Sequence, residues 1–305
     1  MIVRFWGTRG SIPTPGKNTV RYGGNTSCVE IRPYDDDKVF ILDCGSGLRE
    51  LGNYLMANDQ KNGPIKASIF VSHTHWDHLH GFPFFVPAFI PGNEFQVYGP
   101  VDFDENLEDL FIGQMKYQYF PVKLKDMAAT IKFKELKESQ FEVDNVKIHA
   151  KYLNHPIMIL GYKFQIGNKT IVYATDTAPW YNVFKMKDDY DPDDPDIIQT
   201  DEVIAEENEK VIKWFEGADL LIHDAQYTDE EYASKVSWGH TSMEYATKAA
   251  LKANVKCLAY FHHDPARIDK ELDELVAKMK IYKDEVEPNN KLVVFAAYEG
   301  LELKI

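Results

Sequence analysis

Cysteine is scarce: Cys28, Cys44 and Cys257 are odd in number and far apart, with no C-x-x-C pair. Neither a disulfide framework nor a thiolate metal site is expected, and a reducing, cytoplasmic setting fits such usage. Long apolar runs are missing as well. The most apolar stretch, 81–92, is cut by Pro83, Pro87 and Pro91, and the opening residues show no basic segment followed by an apolar one. A signal peptide and a membrane span are therefore not expected. Positive charge is in short supply, with 34 Lys and Arg against 48 Asp and Glu and a formal net charge of −14. That balance argues against general binding of nucleic acid. No Gly/Ser-rich linker divides the chain.

What is present suffices for a large core: 305 residues, 44% hydrophobic and 13% aromatic. Much of the acidity is local, because 188–209 holds 11 acidic side chains and no Lys or Arg; such a run reads as a solvated acidic loop. Short β-branched and aromatic runs alternate with helical patterns, which predicts an α/β or layered α+β architecture. Strands are expected at 2–6, 27–31, 39–42, 67–71, 95–98, 130–134, 146–152, 161–166, 170–174, 220–223, 256–261 and 291–296. Leu272, Leu275, Val276 and Met279 follow helical spacing. Thr241 to Glu244 fits a capping box opening a second helix, with Asn254 as its stop. One domain spanning 1–305 is expected, with insertions near 101–129 and 186–208.

The chemistry-bearing segment follows the apolar strand ending at Val71: Ser72-His73-Thr74-His75-Trp76-Asp77-His78. With 10 His and 26 Asp in the chain, such a cluster arises by chance in roughly 10⁻³ of comparable sequences. In an extended segment His73, His75 and Asp77 would project to one side and His78 to the other, offering ligands to two neighbouring metals. Downstream, His155, Asp176 and His262 each stand at a predicted strand end, reached from His78 in steps of 77, 21 and 86 residues, so they can converge on the first cluster.

The ordered set His73-x-His75-x-Asp77-His78, His155, Asp176 and His262 resembles the ligand set of the metallo-β-lactamase-fold hydrolases. The resemblance implies an αββα sandwich of two mixed sheets flanked by helices. It implies two divalent metal ions, zinc above all, with manganese or iron as alternatives. His73, His75 and His155 would hold one, Asp77, His78 and His262 the other, and Asp176 would bridge. His262 rather than His263 is assigned because it stands three residues before Pro265. Gly7 to Thr14 and Gly23 to Cys28 are similar to the opening of the phosphodiesterase branch, which includes tRNase Z and phosphoribosyl cyclic phosphodiesterases. His223-Asp224-Ala225-Gln226 resembles the HEAT motif of tRNase Z, with Asp in place of Glu and Gln in place of Thr, and His240-Thr241-Ser242 resembles its HST motif. Relatives in this branch often pair as homodimers.

Two divalent metals sharing a water make hydroxide available near neutral pH and neutralise charge on phosphoryl oxygens. Asp77 would ligate a metal and orient that nucleophile. His240, held by Asp224, is the candidate acid for the departing alkoxide. Asp43, in the turn Asp43-Cys44-Gly45-Ser46-Gly47, is read as an acceptor supporting metal-bound histidines, and His80 as supporting or structural. The reaction expected is hydrolysis of a small nucleotide-like phosphodiester, cyclic forms included. The aromatics Phe82, Phe84, Phe85, Phe89, Tyr117, Tyr119 and Phe120 read mainly as core, with a wall stacking on a nucleobase as the second reading. tRNA 3′ processing is an alternative, although no Gly/Lys-rich arm is evident. A di-iron redox or oxygen-binding protein is another, but members of that branch resemble each other in H-x-E-x-D, and position 75 here is His.

Overall fold

The computed structural model describes residues 1–34, 38–102, 104–186 and 190–305. Two mixed sheets face each other with helices on both outer sides, as expected. The first contains β1 (Ile2–Gly7), β2 (Cys28–Arg32), β3 (Val39–Leu42), β4 (Lys66–Phe70), β5 (Glu94–Pro100), β6 (Thr130–Leu136) and, at its edge, β14 (Glu302–Lys304), in the order β14-β1-β2-β3-β4-β5-β6. The second contains β7 (Ser139–Val143), β8 (Val146–Tyr152), β9 (Leu160–Ile166), β10 (Lys169–Ala174), β11 (Leu220–Asp224), β12 (Cys257–Phe261) and β13 (Val293–Ala296), in the order β13-β12-β11-β10-β9-β8-β7. In each sheet one half pairs antiparallel and the other parallel. The parallel strands β3, β4 and β11 are buried almost throughout, which is why they read as unbroken apolar runs rather than alternating ones.

Between the sheets, Phe40 and Phe70 of the first meet Tyr162, Phe164, Tyr173 and Phe261 of the second within one buried cluster. Phe70 makes edge contacts with Tyr162 at 5.5 Å and Phe164 at 5.3 Å between ring centroids. Each such buried side chain contributes about 1.5–3 kcal/mol. Outside the first sheet pack α1 (Gly47–Asn58) and α3 (Leu107–Gln114); between them in sequence lies the single turn α2 (Trp76–Leu79). Outside the second lie α4 (Pro195–Trp214), the short α5 (Asp229–Tyr232), α6 (Met243–Lys252) and α7 (Asp269–Val286).

Three local expectations are corrected. The acidic run is not a solvated loop beyond residue 194: Pro195 at the first helical position and the Asp194 side chain, accepting from Asp196 N–H, start the 20-residue α4, while Asp188 and Asp189 lie outside the described residues. The cap of α6 is Ser242, one residue later than the capping box predicts. Thr241 N–H is already committed to Asp224 Oδ1, and the Glu244 carboxylate accepts from Asp229 instead. Asn254 does stop that helix, at φ 51°, with Val255 and Asn254 N–H returning to Ala250 and Leu251. Two strands escaped the sequence reading. β7 pairs with β8 across Asp144-Asn145, both at positive φ, a two-residue turn whose chemistry is a recognisable hairpin signal. The three-residue β14 carries no comparable pattern.

Candidate metal centre

Strand register delivers the site residues to one end of the sandwich. Leu42 pairs with Phe70, so Asp43 and the segment from Ser72 onward leave the first sheet side by side. In the second sheet Ala174 pairs with His223, and Asp224 with Phe261. Asp176, Asp224 and His262 therefore emerge at neighbouring levels, at the carboxyl ends of parallel strands, where ligand sites in such sheets form. Asp43, Asp176 and His262 all adopt left-handed φ, at 59°, 47° and 60°. Such backbone costs about 1–3 kcal/mol per residue and is tolerated where the surroundings hold it.

The extended reading of 73–78 holds only to His75. The chain then turns into α2, with His78 N–H bonded to His75 C=O, so Asp77 and His78 share one helical turn.

The structure brings together all seven expected residues. Ligand atoms of His73, His75 and His155 lie within 4.8 Å of one another, as do those of Asp77, His78, Asp176 and His262. His75 Nδ1 is 3.1 Å from His73 Nε2 and 3.2 Å from His155 Nε2. The Asp176 carboxylate lies between the two groups, 3.6 Å from His73 Nε2, 3.2 Å from His78 Nε2 and 3.2 Å from His262 Nε2. Asp77 Oδ2 is 3.1 Å from His262 Nε2 and 3.3 Å from His78 Nε2.

Donor chemistry fits a cation at both places. His155 Nδ1 donates to Gly239 C=O at 3.0 Å, and His73 Nδ1 faces Ser72 Oγ, whose own proton goes to Asp43. Both Nε2 atoms are thus left as lone pairs turned toward His75. His78 Nδ1 donates to Asp43 Oδ2 at 2.8 Å, which leaves its buried Nε2 facing two carboxylates without a hydrogen bond. Burial lowers the pKa of His73 and His75 and brings His155 down to about 4, so these rings are neutral, the form that ligates metals. Burial would raise the carboxyls of Asp77 and Asp176, yet the surrounding histidines hold both far below the usual range. For His78, burial is outweighed by Asp176, Asp77 and Asp43, which pull its pKa well up. The two carboxylates that face Nε2, Asp77 and Asp176, would equally attract a divalent ion there, while Asp43 holds the opposite nitrogen.

Beside this cluster, His240 Nδ1 donates to Asp224 Oδ2 at 2.8 Å, and its ring stacks on that of His262 at 4.9 Å. Burial opposes the charged form of His240, but Asp224 and then Asp176 reverse the sign and its pKa is raised. His263 turns away to Ala297 C=O, leaving His262 in the cluster. His80 lies outside it, near Thr26 Oγ1.

Several supports were not found as such in the sequence. Ser11 N–H donates to Asp77 Oδ2 at 2.7 Å. A Cβ on Gly10 would stand 2.5 Å from His262 Cε1. Arg9, fully buried, donates to Gly23, Asp264 and Arg267 carbonyls and ties the opening loop to the turn after His262. Only the Gly-Thr-Arg-Gly-Ser resemblance marked this loop, without saying what it touches.

Fold and site together define a metallo-β-lactamase-fold, metal-dependent hydrolase. The profile described as Beta-lactamase superfamily domain matches residues 39–263, and the chain belongs to that superfamily. A ribonuclease Z of Prochlorococcus marinus (strain MIT 9515) is 27% identical over 304 residues, covering 89% of this chain and 91% of that protein. Human tRNase Z, short form, superposes with a TM-score of 0.64 at 19% identity, covering 100% of this chain and 99% of the other. A diphosphatase from the PhnP family gives 0.64 at 17% identity, over 100% and 97%. No helix among the described residues is long and apolar enough to cross a membrane.

Proposed function

We propose that the protein is a dinuclear metal-dependent phosphodiesterase acting on a small nucleotide-like phosphodiester, cyclic forms included. His73, His75 and His155 would hold one divalent ion and Asp77, His78 and His262 the second, with the Asp176 carboxylate placed between the two groups. Zinc suits this donor set best, with manganese and iron compatible. A pair of divalent ions bound there supplies a nucleophile at neutral pH and neutralises phosphoryl charge.

Among this chain's own groups, Asp77 orients the attacking water and is itself fixed by Ser11 N–H. His240 hands a proton from its free Nε2 to the leaving oxygen, and Asp224 keeps Nδ1 protonated and the ring aimed. The observation that carries this reading is the 2.8 Å His240–Asp224 pair stacked against His262. A proton donor beside a cation cluster serves an alkoxide leaving group, worth roughly 10²–10⁴-fold.

The runner-up is tRNA 3′ processing, favoured by the full-length likeness to a protein named ribonuclease Z. Against it stand the net charge of −14 and the 20 residues between His155 and Asp176, which form β9 and β10 with short connections and add no basic arm to grip a folded RNA. The test is metal analysis of protein purified without chelator, combined with assays on cyclic and linear phosphodiesters and on a precursor tRNA. Two metals per chain with turnover of small diesters is the expected result. Cleavage of the precursor alone establishes the runner-up, and a metal-free active protein overturns both.

A further inference from the structure

A cavity of about 440 Å³ lies between α2 and the β5–β6 connection; Thr74 and Trp76, which alternate with His73, His75 and Asp77 along the chain, line it, and the reading above leaves it unused. We propose that it is the subsite for the base of a nucleotide substrate, an inference that rests on the phosphodiesterase reading and adds what the substrate must carry besides phosphate.

Its walls are aromatic: Trp76, Phe84, Tyr119 and Phe120. Phe84 and Phe120 meet edge to face, centroids 5.3 Å apart, and form a rigid corner. Trp76 and Tyr119 are each 74% exposed and Phe84 55%. Such rings gathered on one concavity, rather than scattered, mark a binding surface. Trp76 stands between His75 and Asp77 in the chain, so the backbone that carries two cluster residues also carries one wall of the cavity.

Charge selects the occupant. Among the described residues no Lys or Arg lines the cavity and Glu105 does, so it repels a second phosphate and leaves the anionic part of the substrate to the cluster. Polar chemistry narrows the choice further. The side-chain nitrogen of Gln114 is buried with no partner among the described residues, and with Glu105 it sets a donor and an acceptor around an aromatic slot. A planar ring with both donors and acceptors on its edge satisfies these groups while its faces stack on the walls. An alkyl chain would leave them unpaired.

The test compares thymidine 5′-(p-nitrophenyl phosphate), methyl p-nitrophenyl phosphate and decyl p-nitrophenyl phosphate, which share one leaving group. The wild-type protein and its Tyr119→Ala and Phe84→Ala variants are used; neither residue belongs to the cluster. Each variant should raise KM for the thymidine ester about tenfold, the loss of one base stack, with kcat and the methyl ester unchanged. Equal losses on the methyl ester, no preference for the thymidine ester in the wild type, or a stronger preference for the decyl ester would each overturn the proposal. Calorimetry with adenosine 5′-monophosphate against ribose 5-phosphate reads the same subsite without turnover. Tighter binding of the adenosine compound, lost in Tyr119→Ala, supports the subsite even if no ester is hydrolysed and the phosphodiesterase reading falls. Hydrolysis of the methyl ester with no advantage from the base in either assay leaves that reading intact and removes the subsite.

Discussion

Asp43 Oδ2 sits 2.8 Å from His78 Nδ1, and both side chains are wholly buried. The same oxygen accepts from Tyr173 Oη at 2.7 Å and Ser72 Oγ at 2.8 Å, and the other oxygen from Ser72 N–H at 2.6 Å. One carboxylate thus fixes the tautomer of His78 and joins the two sheets beneath the cluster. Asp43→Asn keeps the shape but weakens this support, so divalent-ion affinity should fall about 10–100-fold. Competition against a chromogenic chelator measures it, with circular dichroism reporting the fold.

Gly10 tests the opening loop. Any Cβ there meets the His262 ring at 2.5–2.6 Å, so Gly10→Ala must displace the ring or the loop. Metal content should drop below two per chain, and turnover by roughly 10²-fold, the cost of about 1 Å of misplacement. Metal analysis and steady-state assay read the two effects.

Asp77→Ala removes a cluster carboxylate and the acceptor of Ser11 N–H together. Hydrolysis of bis(p-nitrophenyl) phosphate should be abolished, and full turnover by that variant would refute the role assigned to Asp77.

His240→Ala should harm an alkyl or ribose ester far more than a p-nitrophenyl ester, whose leaving group needs no proton. In the wild type the acid form is required, so activity on alkyl esters falls as pH rises through the His240 pKa. Asp224 favours the imidazolium; Asp224→Asn removes that attraction, lowers this pKa and should move the alkaline limb toward lower pH. A pH–rate profile with each ester checks the sign.

Chelation should destabilise the protein. A ligand present at a hundredfold its Kd stabilises by about 2.7 kcal/mol, and the seven clustered ligands have carboxylates that repel one another without a cation. Thermal unfolding should shift down by several degrees on chelation and recover with added zinc or manganese.

Much of the site was legible in the chain itself. His73, His75, Asp77 and His78 fall in one short segment, and His155, Asp176 and His262 each follow a readable apolar strand. The cap residues of α4 were also visible, yet the acidic run hid them because charge density and helical periodicity compete there. The one-residue error at α6 arose because Thr241 answers to Asp224, 17 residues earlier. Ser11, Gly10 and Gly239 act through backbone atoms, or through the lack of a Cβ, against residues at least 66 positions away. No local pattern encodes such partners.

The amino-acid order alone marked the candidate ligands and the layered α/β class, because residue chemistry and apolar periodicity are local properties. Tertiary structure decided which nitrogen of each imidazole faces the cluster, which of His262 and His263 turns inward, and that Asp43 buttresses His78. Those outcomes depend on strand register and on hydrogen bonds between segments that meet only when the two sheets pack, and packing is a property of the whole chain.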